Sequence, residues 1–254
     1  MKQLRELISK SRARKKAGCF VAEGLRMVSE TPADRIEELY VSQSFMKSAG
    51  NLKDLPLYLG SAQIVEDRIF RAVSDTMNPQ GILAVVRMEE HSASDIISAR
   101  SPLVLMLENI QDPGNLGTMI RTAEGAGAAG IILSRETADI YNPKTVRSSM
   151  GSLYRMKIAY ADDICAAEEQ LKAAGIEVYA ATLEGSVPYT SPDYRKPCAF
   201  LIGNEGSGLT SGAVAAAGRR VRIPMAGKLE SLNAASAAAV LLYEAARQRQ
   251  LPGA

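Results

Sequence analysis

The sequence predicts an α/β protein in which a small N-terminal α/β unit precedes a larger α/β domain built on a parallel sheet. Three observations carry this expectation. From Pro102 onward, apolar strand-like runs alternate with helical stretches. That pattern argues for a parallel sheet covered on both faces. Before it, residues 1–87 hold shorter, mixed elements. Between the two, the polar stretch "MEEHSASDIISARS" (88–101) leads into Pro102 and marks a boundary. The expected domains are residues 1–97 and 98–254.

In the first unit, "CFVAEG" reads as a strand ended by Gly24, and "IEELYVS" and "LPLYLG" read as further strands. "VEDRIFRAVSD" has the spacing of an amphipathic helix, and "GILAVVRM" that of a buried strand. In the second, the strands are expected in "LVLMLEN", "GIILS", "RMKIAYA", "EVYAATL", "CAFLIGN" and "RVRIPM", with an Ala-rich helix at the end. Ligands of open parallel sheets bind beyond the carboxyl ends of the strands. The informative loops are therefore those that follow these runs.

Composition bounds the function. The 254 residues are 46% hydrophobic and 23% charged, with a formal net charge of +2, as in an ordinary globular protein. No apolar run is long enough to span a bilayer. The basic N-terminus lacks a continuous apolar core, so no secretory signal is expected. Three scattered cysteines, Cys19, Cys165 and Cys198, show no metal-ligand spacing and suit the reducing cytoplasm. The single histidine, His91, lies in a polar stretch, which argues against a histidine triad or a metal site. Residues 1–16 carry seven basic side chains and one acidic one. Such an arm suits phosphate and reads equally well as a solvated helix end.

Three loops could carry chemistry. In "ENIQDPGNLGTMIRTAEGAGAAG" a strand turns through Pro113, Gly114 and Gly117 into a helix. Asn115 lies near the helix start, and Arg121 sits where a guanidinium could grip a phosphate. In "LIGNEGSGL" the glycines 203, 206 and 208 have neither dinucleotide nor P-loop spacing. Glu205 in that turn would repel a pyrophosphate and would suit a cationic neighbour, Arg121 or a sulfonium. In "RIPMAGKLESLNAASAAAVLLYEAARQRQ" either Ser231 or Asn233 could cap the helix. Ile223, Met225 and Leu232 could flank a flat ring. Ala235, Ala239, Leu242 and Ala246 form a packing face. Each loop alone is weak evidence; all three follow strands of one sheet and can meet at one edge.

Taken together, "NIQDPGNLGTMIRTAEGAGAAGIIL", "FLIGNEGSGL" and "VRIPMAGKLESLNAASAAAVLLYEA" resemble the SpoU (TrmH) family of RNA ribose 2′-O-methyltransferases, within the SPOUT group. The resemblance covers roughly residues 102–249. Residues 1–87, with "KSRARKKAGCFVAEG" and "SDTMNPQGILAVV", resemble more loosely the family's L30e-like RNA-binding domain. The resemblance implies a sheet whose C-terminal part threads a deep trefoil knot, a homodimer, and S-adenosylmethionine held in the knot without a metal. Asn115, Arg121, Glu205, Ser231 and Asn233 match the motif positions of the active site. Gly203, Ile223 and Leu232 match cofactor contacts, and Met225 and Asn233 are expected beside them. Lys10, Arg12, Arg14, Lys15 and Lys16 would hold RNA. The N-terminal domain favours ribosomal RNA, 23S above all, over tRNA. A non-catalytic RNA-binding protein with this fold is the remaining alternative; a nicotinamide oxidoreductase fails on glycine spacing and loop order. The strand "YRMKIAY" lacks the proline that family members often carry there.

Overall fold

The computed structural model describes residues 1–48 and 62–250, so the expected strand "LPLYLG" lies outside the described residues. The chain divides into two compact units, residues 1–89 with 139–154, and residues 90–138 with 155–254. The expected boundary at 97/98 therefore differs from the observed division in two places. Helix α6 (Ala93–Ile97) is opened by a capping box between Ser92 and Asp95, and its Ile96 enters the core of the second unit. Residues 139–154, expected in the second domain, pack with the first.

In the first unit, β1 (Cys19–Glu23), β2 (Ile36–Ser42), β3 (Gln63–Val65) and β4 (Ile82–Arg87) form a sheet ordered β1-β4-β2-β3. Only the β2–β3 pair is parallel. Helix α1 (Lys2–Ser9) buries Leu4 and Leu7 against Val21, Tyr40, Leu83 and Val85 of the sheet and Phe70 and Val73 of α5 (Asp67–Val73). Helix α2 (Ser11–Ala17) ends at Gly18, which adopts a left-handed φ of 63°. Helices α3 (Leu25–Ser29), α4 (Gln43–Ser48) and α8 (Pro143–Ser149) also belong to this unit.

Arg14 of α2 departs from its expected role. It is 2% exposed, and its guanidinium donates to Asp139 Oδ2 at 2.6 and 3.0 Å and to the carbonyls of Leu7 and Ile8. It ties α1 to α2 and is withdrawn from the residues expected to reach RNA. Arg12, Lys15 and Lys16 are exposed, as is Lys10, which pairs with Glu6 at 3.6 Å.

Among the described residues, the second unit holds seven strands, all parallel, in the order β7-β6-β5-β10-β8-β11-β9. They are β5 (Leu103–Leu107), β6 (Gly130–Ser134), β7 (Ile158–Ala161), β8 (Glu177–Ala181), β9 (Val187–Pro188), β10 (Cys198–Ile202) and β11 (Arg219–Arg222). All six expected runs form strands; the two-residue β9 had no apolar signal. From β5 the chain winds one way to β6 and β7, while β10 and β8 lie on the other side. The β5–β10 junction is thus the switch point at which parallel sheets bind ligands. Helices α7 (Pro113–Gly125) and α11 (Ala234–Gln250) pack on each other, and α9 (Ile164–Ala173) and α10 (Ser211–Ala216) do likewise.

Glu168 of α9 is fully buried, and neither carboxyl oxygen has a hydrogen-bond partner. Desolvation, followed by the nearby Glu108 carboxylate, pushes its pKa up to about 8 from the ordinary 4.5. The folded chain therefore holds this proton where the unfolded chain releases it, and stability falls as pH rises from about 4.5 to about 8. Glu168→Gln is expected to raise Tm, by little at about pH 4.5 and by several degrees above about pH 8. Thermal unfolding of both proteins across that range checks it; a pH-independent difference would refute the assignment.

Candidate active site

Residues leaving β5 and β10 run side by side, because Leu107 and Ile202 are paired across the two strands. The segment after β5 holds the segment after β10 along its length. At its start, Asn204 Nδ2 donates to the Asn109 carbonyl at 2.8 Å. In its middle, Glu205 accepts from the N–H groups of Gln111 and Asp112, both at 3.1 Å, and from Asn115 Nδ2 at 3.0 Å. At its end, the buried carboxylate of Glu108 accepts from Thr210 N–H at 2.8 Å and Thr210 Oγ1 at 2.7 Å. Thr210 in turn caps α10. Asn109 takes a φ of 56° to make this turn, and its N–H is held by Ser134 Oγ at 2.9 Å.

Between these fixings the second segment folds back on itself. Asn204 and Gly208 exchange backbone hydrogen bonds at 3.0 and 3.1 Å, and Asn204 Oδ1 accepts from Gly206 and Ser207. Gly203 has no room for a side chain: a Cβ there would lie 2.3 Å from the Gly208 carbonyl carbon. The glycine serves close backbone approach here.

Helix α7 is started by Asp112, whose side chain accepts from Asn115 N–H at 2.8 Å, with Pro113 in its first turn. Asn115 therefore sits at a fixed point. Its Nδ2 faces Glu205, and its Oδ1 accepts from Asn233 Nδ2 at 3.1 Å. Asn233 is the cap of α11, accepting from Ala235 and Ser236 N–H at 2.9 and 3.2 Å. Of the two cap candidates, Asn233 does the capping. Ser231 is exposed and lines the neighbouring cavity.

That cavity, about 340 Å³, lies at the carboxyl ends of β8, β10 and β11. Its walls include Gly203, Ile223, Met225 and Leu232, all expected at a cofactor, together with Ile202 and Leu241. Ser231 and Glu205 also line it, and the Glu205–Asn115–Asn233 chain runs from it. The sequence reading brings these three motifs to one edge, and the structure does the same.

A family model described as the SpoU rRNA Methylase family matches residues 102–243, more than half of the chain. A second, described as an MRM3-like substrate binding domain, matches residues 1–84. This chain belongs to the SpoU rRNA methylase family. It is 36% identical to the 23S rRNA (guanosine(2553)-2′-O)-methyltransferase RlmP of Bacillus subtilis, over 91% of this chain and 89% of that one. Its structure is similar to that of the AdoMet-bound rRNA methyltransferase from Sinorhizobium meliloti (35% identity, TM-score 0.84, 98% of this chain and 94% of that one). It is also similar to the SpoU methyltransferase AviRb from Streptomyces viridochromogenes in complex with the cofactor AdoMet (30% identity, TM-score 0.84, 98% and 97% coverage).

Arg121 stands apart from this cavity. It is exposed on α7, makes no hydrogen bond or ion pair among the described residues, and does not line the cavity. The cationic neighbour considered for Glu205 is thus not Arg121. Partial burial works to raise the Glu205 pKa, but hydrogen bonds from Asn115, Gln111, its own N–H and Asp112 outweigh this and hold it below the ordinary carboxylate value. Sequence reading also passed over Glu108, Asn204 and the β8 end, whose Thr182 and Leu183 line the cavity. The signal for Glu108 was an acid closing a run as apolar as "LVLML". Such a residue has to find donors when buried. Among the described residues no group of three or more His, Cys, Asp and Glu is placed to hold a metal ion.

Gly203→Ala should force the Gly208 backbone away and cost about 1–3 kcal/mol, the range for overpacking. A lowered Tm, with Gly206→Ala close to the parent, is the expected outcome. Gly206 is the control because its Cβ would meet nothing nearer than Asn204 Oδ1 at 3.6 Å.

Proposed function

We propose that this protein transfers a methyl group from S-adenosylmethionine to a ribose 2′-hydroxyl of ribosomal RNA, 23S RNA being the favoured substrate. The observation that carries the reading is the convergence of three loops on one cavity, with the Glu205–Asn115–Asn233 chain beside it. The names of the relatives support ribosomal RNA as the substrate class. The cavity residues fit the cofactor: Ile223, Met225 and Leu232 offer apolar faces to an adenine ring, and the fold-back over Gly203 presents backbone groups. When bound, the cofactor supplies an electrophilic sulfonium methyl.

The remaining work falls to the chain. A ribose hydroxyl must be placed in line and relieved of its proton. Arginine does not deprotonate in proteins, so Arg121 is assigned to the substrate phosphate and the forming alkoxide, as an electrostatic stabiliser. Its lack of a carboxylate partner among the described residues supports that role. Glu205 stays ionised and acts as an acceptor that fixes Asn115. Asn115, Ser231 and Asn233 position groups at the cavity. The exposed Lys10, Arg12, Lys15 and Lys16 are proposed to hold RNA phosphates. A homodimer belongs to the same reading, supported by the exposed Leu183 at the cavity, Leu229 beside it and Tyr243 on α11. So does a cytoplasmic location, supported by three free cysteines. Among the described residues no helix is long and apolar enough to cross a membrane.

The decisive assay follows labelled methyl from S-adenosylmethionine into separated ribosomal RNA and tRNA from cells lacking this gene. Alkali-stable label in ribosomal RNA is expected; label in tRNA alone would overturn the substrate. Arg121→Ala should lower transfer by at least about a hundredfold, the scale of losing one charge-stabilising group. Calorimetric affinity for S-adenosylmethionine should be nearly unchanged, because Arg121 does not line the cavity. Substantial residual transfer would remove Arg121 from the mechanism.

A further inference from the structure

Among the described residues, the charged residues lining the cavity are Glu205, Arg222 and Glu230. Glu205 already has its donors in Gln111, Asp112 and Asn115. Arg222 and Glu230 are left, one of each sign. They do not pair with each other, and neither forms an ion pair elsewhere among the described residues.

Arg222 is held in place without being neutralised. It ends β11, whose first arginine, Arg219, lies 3.7 Å from the Glu177 carboxylate. Arg222 has no such partner. Its Nη1 donates to the Ser186 carbonyl and, at 3.5 Å, to Ser186 Oγ. Ser186 Oγ in turn donates to the Leu183 carbonyl at 2.7 Å across a turn in which Gly185 has a φ of 63°. Leu183 lines the cavity, so Arg222 is anchored on the turn that forms one of its walls. The acceptors are neutral, and the half-buried charge stays uncompensated. A partly desolvated cation without a counter-charge is costly, and a ligand anion would offset that cost. Nε and Nη2 make no hydrogen bond among the described residues. Those two N–H groups form the edge of a guanidinium that meets a carboxylate with two parallel bonds. Glu230 is exposed next to Ser231 on the same cavity. A wall that offers one cation and one anion suits a zwitterion.

We infer that Arg222 and Glu230 hold the amino-acid end of S-adenosylmethionine, Arg222 taking its α-carboxylate and Glu230 its α-ammonium group. This rests on the reading of the cavity as the cofactor site, and it names the residues that select for the charged tail. The apolar faces of Ile223, Met225 and Leu232 suit the adenine and carry no charge with which to select that tail.

The test is calorimetric titration of the full chain with S-adenosylmethionine and with compounds that lack one part of it. S-adenosylhomocysteine lacks the methyl group and the sulfonium charge, decarboxylated S-adenosylmethionine lacks the carboxylate, and 5′-methylthioadenosine lacks the whole amino-acid end. Arg222→Gln is expected to weaken S-adenosylmethionine and S-adenosylhomocysteine about tenfold or more, the scale of one hydrogen-bonded charge. Decarboxylated S-adenosylmethionine and 5′-methylthioadenosine should keep their parent affinities. Arg222→Lys should recover part of the loss, since it keeps the charge without the fork. Glu230→Gln should weaken S-adenosylmethionine and its decarboxylated form alike, by about threefold because its exposed charge is screened. It should leave 5′-methylthioadenosine unchanged. Equal losses for every compound in Arg222→Gln would mean a disturbed cavity and overturn the inference, and so would a parent-like affinity for S-adenosylmethionine. Lost RNA affinity in place of lost cofactor affinity would assign Arg222 to a substrate phosphate and overturn it too. A parent-like Glu230→Gln would overturn the assignment of the ammonium group. A parent protein that binds none of these compounds overturns the functional reading itself.

Discussion

The site depends on one constraint: the segment after β10 has no regular structure of its own, and it is held by the segment after β5. Asn109, Glu205 and Glu108 fix it at start, middle and end. Parallel pairing of the two strands makes this possible, since Leu107 and Ile202 release their chains at the same height. Glu205 is exposed, whereas Asn109 is half-buried and Glu108 buried, each with a defined partner. Such groups cost more unpaired than they contribute paired, so the arrangement selects one loop conformation rather than adding much net stability. The absent side chain at Gly203 is the complementary condition, because the fold-back brings the Gly208 backbone to within 2.3 Å of where a Cβ would lie.

Much of this was legible in the sequence, for reasons particular to the elements. The six expected strands of the second unit are buried, nearly uninterrupted apolar runs, and burial on both faces leaves that signature. The three loops were legible because each places glycine, proline or a capping residue just past a strand. What stayed hidden depends on long-range partners. Arg14 sits in a basic run and reads as one more surface cation. Only Asp139, 125 residues away, reveals it as a buried tie. The choice between Ser231 and Asn233 as cap follows from where the chain enters α11, and local pattern leaves that open. The strand β9 and the inclusion of residues 139–154 in the first unit have no local signature.

The two buried glutamates Glu108 and Glu168 show how context divides one chemistry. Glu108 closes β5 where the loop from β10 passes, and two donors from Thr210 compensate its burial. Glu168 lies buried on α9, has no hydrogen-bond donor, and feels Glu108 as a like charge. Both effects favour its neutral form, and a neutral carboxyl is cheaper to bury than a charged one.

The apportioning of charge at the site follows the same logic. A guanidinium engaged by a carboxylate has its N–H donors occupied and is less available to a substrate phosphate. Here Glu205 is satisfied by two backbone N–H groups and an asparagine amide. These donors carry no net charge. Glu205 keeps its acceptor role in shaping the loop, and Arg121 is exposed on α7 with no ion pair among the described residues. Asn115 makes this separation work, since its amide faces the carboxylate on one side and Asn233 on the other. Replacing it with a cation would bind Glu205 more tightly and break the link to α11. The asparagine is the residue type that can donate to one motif and accept from the other at the same time.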